Sequence, residues 1–218
     1  MTAGTRAAVP AELRDHPIIA VLRAPTPAEY APVIESLLEG GVRFIEVTLS
    51  TPGTIAELPR LVQRFGGDAS IGVGTVTEPD EATAAIAAGA SYLVTPTTDE
   101  RVIGVAAAAA IPFYPGGFTP TELHGGWRRG ATAVKVFPAS RLGPGYVGDL
   151  RGPFPGIEVI PSGGVDAEAA LAWLRAGACA VSLGGPLLRD AFSGGDLGAL
   201  TTRARELQLL IEDAGLAR

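Results

Sequence analysis

Lys135, in the run Ala133-Val134-Lys135-Val136-Phe137-Pro138, is the sole lysine of a chain with 17 basic side chains; the other sixteen are arginine. Arginine serves in most surface roles of lysine, but it cannot lose a proton and attack a carbonyl. An ammonium set in an apolar, strand-like run is also costly to bury without a partner. The residue type and its setting therefore favour imine formation over a compositional leftover held in a salt bridge. Glu46, in Phe44-Ile45-Glu46-Val47-Thr48-Leu49, is the second candidate. Strand alternation puts Glu46, Thr48 and Ser50 on one face and Ile45, Val47 and Leu49 on the other. Lys135 and Phe137 share a face by the same rule. If both polar faces point into one interior, amine and carboxylate share a pocket. That pairing fits imine chemistry with a proton-shuttling carboxylate. It fits equally a buried ion pair that sets strand register, and proximity alone does not separate the two.

The elements that must position these residues recur eight times along the chain. Each repeat is a short β-branched run, a turn rich in Pro, Thr, Asp and Gly, and a helical stretch rich in Ala and Leu. The strand-like runs are 17–23, 44–49, 70–76, 92–96, 112–116, 133–138, 158–164 and 180–187. Helical patterns open at Thr26 and near Pro52, Glu78, Asp99, Thr119, Pro144 and Asp166, and a last one runs over 196–214. Thr26-Pro27 and Thr119-Pro120 pair an N-cap residue with proline at the first helical position. Gly40-Gly41, Gly89, Gly130 and Gly177 close helices. Eight βα units in about 200 residues predict one domain over 1–218, a small (β/α)8 TIM barrel, with residues 7–16 as an added N-terminal helix. An open doubly wound sheet is the rival, but no Gly-x-Gly-x-x-Gly follows the first strand and the strand spacing is nearly constant.

In such barrels chemistry collects at the C-terminal ends of the strands. Those ends carry Arg23, Glu46 and Thr48, Thr75, Pro96, Lys135 and Phe137, Ser162-Gly163-Gly164, and Gly184-Gly185. The two glycine groups follow strands seven and eight, where this fold commonly binds phosphate. Glycine lets backbone N–H groups come close to an anion there. Other glycine pairs (Gly66-Gly67, Gly125-Gly126, Gly194-Gly195) read as loop punctuation. Metal chemistry is not indicated. His16 precedes strand one, His124 lies in the helical stretch opening at Thr119, and Cys179 is the only cysteine.

Composition narrows the rest. With 47% hydrophobic and 18% charged residues the chain is globular, and its formal net charge is −6. No basic run or aromatic-basic stripe points to nucleic acid. Arg128-Arg129 is the only adjacent basic pair, and it reads as a helix C-terminal cap. The first 16 residues have no apolar signal core, and the most apolar stretch, about 102–114, is too short to span a bilayer. A lone cysteine fits a reducing cytoplasm. A mean hydropathy of +0.29 suggests that some helix faces pack against other subunits.

Taken together, these residues resemble the 2-keto-3-deoxy-6-phosphogluconate (KDPG)/4-hydroxy-2-oxoglutarate (KHG) aldolase family. The resemblance covers about 17–188. Its carriers are Ile19-Ala20-Val21-Leu22-Arg23, Gly40 to Leu49, Gly72-Val73-Gly74-Thr75-Val76, Tyr114-Pro115-Gly116, Val134 to Ala139 and Pro161-Ser162-Gly163-Gly164-Val165. It implies a metal-free and cofactor-free class I enzyme, usually homotrimeric, acting on a small 2-keto acid. In it Lys135 forms the Schiff base and Glu46 moves protons. Thr75 matches a threonine that helps hold the pyruvyl carboxylate, and Phe137 and Pro96 match residues that wall the substrate. Two positions depart from the family. Some members carry an arginine at Ser50 that contacts the substrate carboxylate, a charge that Arg23 could supply from another side. Members often carry a serine at Pro186, and proline offers the phosphate neither hydroxyl nor N–H. A phosphate-binding barrel isomerase or synthase, and a non-catalytic keto-acid-binding barrel, remain alternatives at this level.

Overall fold

A computed structural model describes residues 6–217. After a short helix α1 (Ala11–Asp15), strands and helices alternate: β1 (Ile18–Leu22), α2 (Tyr30–Glu39), β2 (Phe44–Thr48), α3 (Thr54–Phe65), β3 (Ser70–Gly74), α4 (Pro79–Ala87), β4 (Leu93–Val94) and α5 (Glu100–Ala108). The second half continues with β5 (Phe113–Tyr114), β6 (Gly116–Gly117), α6 (Pro120–Arg128), β7 (Val134–Val136), α7 (Tyr146–Arg151), β8 (Val159–Pro161), α8 (Ala167–Arg175), β9 (Val181–Leu183), α9 (Gly185–Leu188) and α10 (Leu197–Asp213). Every named strand pair is parallel. Six strands pair in the order β5-β4-β3-β2-β1-β9, and three in the order β6-β7-β8. A parallel bridge between Ser162, just past β8, and Ser182, in the middle of β9, links the two strands. The result is an α/β fold built on a curled parallel sheet, as the alternating pattern predicts.

Local chemistry explains most boundaries. Capping boxes open three helical segments, through Thr26 with Glu29, Glu78 with Glu81, and Thr119 with Glu122. Asp99, Asp166 and Asp196 cap α5, α8 and α10 with their carboxylates. Arg128 ends α6, and the guanidinium of Arg129 donates to the Gly125 carbonyl at 3.0 Å, so Arg129 of this basic pair caps the helix.

Several strand expectations need correction, and the runs 133–138 and 158–164 shorten to Val134–Val136 and Val159–Pro161. The run 112–116 forms two short strands, because Pro115 between them has no N–H to give to the ladder. The run 92–96 pairs as a ladder strand only at Leu93–Val94. The run 180–187 is strand only as far as Leu183; Gly185–Leu188 is helical, with Pro186 in the first turn, where a missing N–H is harmless.

Apolar side chains divide between two layers. The larger cluster lies between strands and helices and includes Ile45, Val47, Val73, Val134, Val136 and Val181. The smaller one fills the inside of the curl with Val9, Leu13, Ile19, Phe44, Tyr92, Tyr114, Ala133 and Ile160. Leu13 of α1 has no exposed surface and belongs to this inner cluster. Burial lifts the Tyr92 and Tyr114 phenols well above their ordinary range, so both stay neutral. It also pushes the Cys179 thiol up to about 12. No helix among the described residues is long and apolar enough to cross a membrane.

Candidate active site

Glu46 sits in the middle of β2, paired in register with Val21 of β1 and Gly72 of β3. Lys135 is the central residue of β7, paired with Gly116 and Ile160. The two side chains cross the interior from different sheets and meet with Lys135 Nζ 3.7 Å from Glu46 Oε1. Glu46 is 1% exposed and Lys135 8%, so the pair is largely shielded from water. Its separation exceeds that of a direct hydrogen bond. A purely structural buried pair gains most from direct, well-satisfied contact. Here Glu46 Oε1 has no hydrogen-bond partner among the described residues, and both groups open onto a cavity. That geometry suits groups that act on a third molecule.

Gly74, at the end of β3, makes room for the carboxylate, since a Cβ there would overlap Glu46 Oε1. The next residue, Thr75, has φ +60°, an uncommon conformation for a β-branched residue. It lines the cavity, and strain of this kind collects at functional sites. Across the cavity, Lys135 Nζ lies 5.6 Å from the centre of the Phe137 ring, which is 40% exposed. The ring leans on Gly163, where a Cβ would come within 3.0 Å of it.

The cavity has a volume of about 790 Å3. Arg23, Glu46, Thr75, Pro96, Lys135, Phe137, Ser162, Gly163, Gly164, Gly184 and Gly185 all line it, so eleven of the twelve residues singled out from the sequence face one space. All lie in the strands or just past their C-terminal ends. Thr48 is the exception. It is fully buried, is not part of the cavity wall, and gives its hydroxyl proton to the Leu22 carbonyl at 3.1 Å. Its hydroxyl is instead engaged with the Leu22 carbonyl and the Ser50 hydroxyl.

Other wall residues carried little sequence signal. Arg189 lines the cavity from the segment after α9, with φ +50°. Phe192 and Ser193 extend that side. Pro186, one of the two family departures, is also in the wall. The charged lining is Arg23, Lys135 and Arg189 against Glu46 alone, three cations to one anion in a chain of net charge −6. Such local focusing of positive potential attracts an anionic ligand. Both histidines lie elsewhere. His124 stacks on Phe154 at 3.8 Å, and His16 Nδ1 lies 3.5 Å from Gln208 Nε2. No cluster of three or more His, Cys, Asp or Glu side chains that could hold a metal occurs among the described residues.

A parallel α/β fold with an amine and a carboxylate facing one cationic cavity beyond its strand ends defines a protein equipped to work on the carbonyl of an anionic small molecule. The comparisons with known proteins are more specific. A family model described as "Aldolase: KDPG and KHG aldolase" matches residues 9–201. The chain is 34% identical over 174 residues to the 2-dehydro-3-deoxy-6-phosphogalactonate aldolase of Escherichia coli strain K12, covering 79% of this chain and 85% of that one. It is 33% identical over 193 residues to the 2-dehydro-3-deoxy-phosphogluconate aldolase of Dickeya dadantii strain 3937, covering 87% and 90%. A KDPG aldolase from Legionella pneumophila, solved with pyruvate captured at low pH as a covalent carbinolamine intermediate, superposes with a TM-score of 0.83 at 27% identity, over 92% of this chain and 98% of that one. The chain belongs to the KDPG and KHG aldolase family.

Proposed function

We propose that this chain is a class I aldolase that cleaves 2-keto-3-deoxy-6-phosphogluconate to pyruvate and glyceraldehyde 3-phosphate. The observation that carries the reading is the Lys135–Glu46 pair, 3.7 Å apart at a cavity whose other charged residues are cations. Lys135 adds to the C2 ketone to give a carbinolamine, which loses water to form an iminium. The iminium accepts the electron pair of the C3–C4 bond, so cleavage leaves a neutral enamine in place of a bare carbanion. Glu46 takes the C4 hydroxyl proton as that bond breaks, and the aldehyde departs. The carboxylic acid then returns a proton to C3, and hydrolysis of the imine frees pyruvate and the amine. In this scheme Thr75 and Arg23 hold the keto acid, Pro96 and Phe137 wall it, and Ser162, Gly163, Gly164, Gly184 and Gly185 receive the phosphate end.

A second reading keeps the chemistry and changes the sugar to the 6-phosphogalactonate epimer, because relatives named for each acid resemble the chain to nearly the same degree. The proposal extends to architecture. The bridge between Ser162 and Ser182, and the single residue separating β5 from β6, support a sheet that closes as one (β/α)8 barrel domain with α1 beneath it. It also includes a homotrimer, for which the exposed Phe118, Leu209 and Leu210 offer apolar contact surface. Sedimentation at three times the 22.2 kDa chain mass is its check.

Incubation with pyruvate and sodium borohydride, followed by mass mapping, tests the central claim. A reduced pyruvyl adduct on Lys135 is expected, together with turnover of one acid from a panel of the two phosphorylated epimers and 4-hydroxy-2-oxoglutarate. Folded protein without an adduct at saturating pyruvate would reject the reading and leave the pair structural.

A further inference from the structure

Arg23 follows β1 and lines the cavity, and its Nε–H donates to Ser50 Oγ at 2.8 Å. Ser50 Oγ lies 2.9 Å from Thr48 Oγ1, and the Thr48 hydroxyl donates to the Leu22 carbonyl at 3.1 Å. Valence fixes every proton in this chain. A guanidinium only donates, so Ser50 accepts from Arg23. Thr48 places its one hydroxyl proton on Leu22, so it accepts from Ser50. The order is therefore Arg23 to Ser50 to Thr48 to the Leu22 carbonyl. The relay leaves residue 23, crosses to the end of β2, and returns to residue 22.

The anchor end is rigid. Thr48 is fully buried, and Thr48 and Leu22 belong to adjacent, hydrogen-bonded strands. The Arg23 end is exposed and free to respond. Engagement of Nε fixes the guanidinium plane and leaves both Nη groups, the pair that can grip two oxygens at once, outside the relay. No carboxylate pairs with Arg23 among the described residues, although eight ion pairs form elsewhere. An arginine held at one nitrogen on the wall of a cationic cavity is prepared for an anion that arrives from outside.

We propose that Ser50 and Thr48 are positioning residues that aim the Nη groups of Arg23 at an oxyanion of the bound 2-keto acid. The proposal rests on the aldolase reading above. It accounts for Thr48, which shares the strand face of Glu46 yet is not part of the cavity wall. It also gives Ser50 a role of its own: the hydroxyl acts through Arg23 without touching the ligand. Two oxyanions are available in the substrate, the carboxylate and the phosphate. Both offer the paired oxygens that a guanidinium recognises, and the test separates them.

Steady-state cleavage of the phosphorylated acid, and the pyruvate dependence of C3 proton exchange, would be measured for wild type, Ser50→Ala, Ser50→Thr, Arg23→Gln and the double variant Arg23→Gln with Ser50→Ala. Ser50→Ala is expected to raise KM about tenfold, the loss of one charge-assisted hydrogen bond, with kcat within about twofold of wild type. Ser50→Thr, which keeps the hydroxyl, should restore KM. In the Arg23→Gln background Ser50→Ala should add nothing, since both act through one guanidinium. A purely structural serine would not produce that non-additivity, and matched thermal unfolding midpoints would exclude loss of fold. A KM rise confined to the phosphorylated acid assigns the oxyanion to phosphate; a rise for pyruvate as well assigns it to carboxylate. Wild-type KM in Ser50→Ala, failure of Ser50→Thr to restore it, or fully multiplicative effects in the double variant would each overturn the proposal. Wild-type protein with neither turnover nor pyruvyl adduct would instead overturn the aldolase reading itself.

Discussion

Glu46 depends on a neighbour that has no side chain. The carboxylate occupies the space that a Cβ at Gly74 would fill, and its Oε1 faces Lys135 with no hydrogen-bond partner among the described residues. A group held in that way can exchange a proton with a ligand without first breaking a strong internal contact. Replacement by the isosteric amide keeps the volume and removes the basicity. Glu46→Gln is therefore expected to lower kcat for cleavage about 10²–10⁴-fold, with a parallel loss of pyruvate C3 proton exchange. The borohydride adduct on Lys135 should still form, since imine formation with a preformed ketone draws on the amine. Unchanged proton exchange in this variant would make Glu46 structural.

Elements in this chain are fixed largely by their ends. At the start of α6, Glu122 accepts from the Thr119 N–H at 2.8 Å, the Thr119 hydroxyl at 2.7 Å and the Phe118 N–H at 3.0 Å. The Thr119 backbone N–H, then its hydroxyl, hold the Glu122 carboxyl below its usual range. A carboxylate with a lowered folded-state pKa contributes stability that is present above its unfolded pKa and disappears as pH falls through the folded one. Glu122→Gln should therefore flatten the acid limb of a plot of stability against pH, while the wild-type curve falls through that region. Thr119→Ala removes the cap hydroxyl and is expected to cost about 1 kcal/mol in urea denaturation at neutral pH. The starts at Thr26-Pro27 and Thr119-Pro120 were legible from sequence, because an N-cap residue followed by proline at the first helical position is a local signal. The break at Pro115 and the helical turn Gly185–Leu188 were not read from the apolar runs around them. Apolar content marks burial, and burial does not separate strand from short helix.

At the scale of the whole molecule, α1 reaches the inner core from outside the sheet. Leu13 is fully buried beside Ile19, Phe44, Tyr92 and Tyr114, and Arg14 pairs with Glu158, just before β8, at 2.7 Å. Leu13→Ala should lower unfolding free energy by about 2–5 kcal/mol through lost transfer energy and the cavity left behind. An effect under about 1 kcal/mol would mean that α1 is an ornament on a self-sufficient core.

The sequence by itself determined the alternation of strand and helix, the helix starts, and the selection of Lys135 and Glu46 as residues able to share one pocket. Each of these follows from properties local to a few residues: backbone period, side-chain valence, the special conformations of proline and glycine. Tertiary structure decided which residues meet. It set the 3.7 Å separation across 89 positions of chain, excluded Thr48 from the cavity while placing Arg23 against Ser50, and brought in Arg189 from a segment without a motif. The physical reason is that period fixes the direction of a side chain from its own element. Its depth and its neighbours depend on strand register and sheet curvature, which are summed over contacts between residues far apart in sequence.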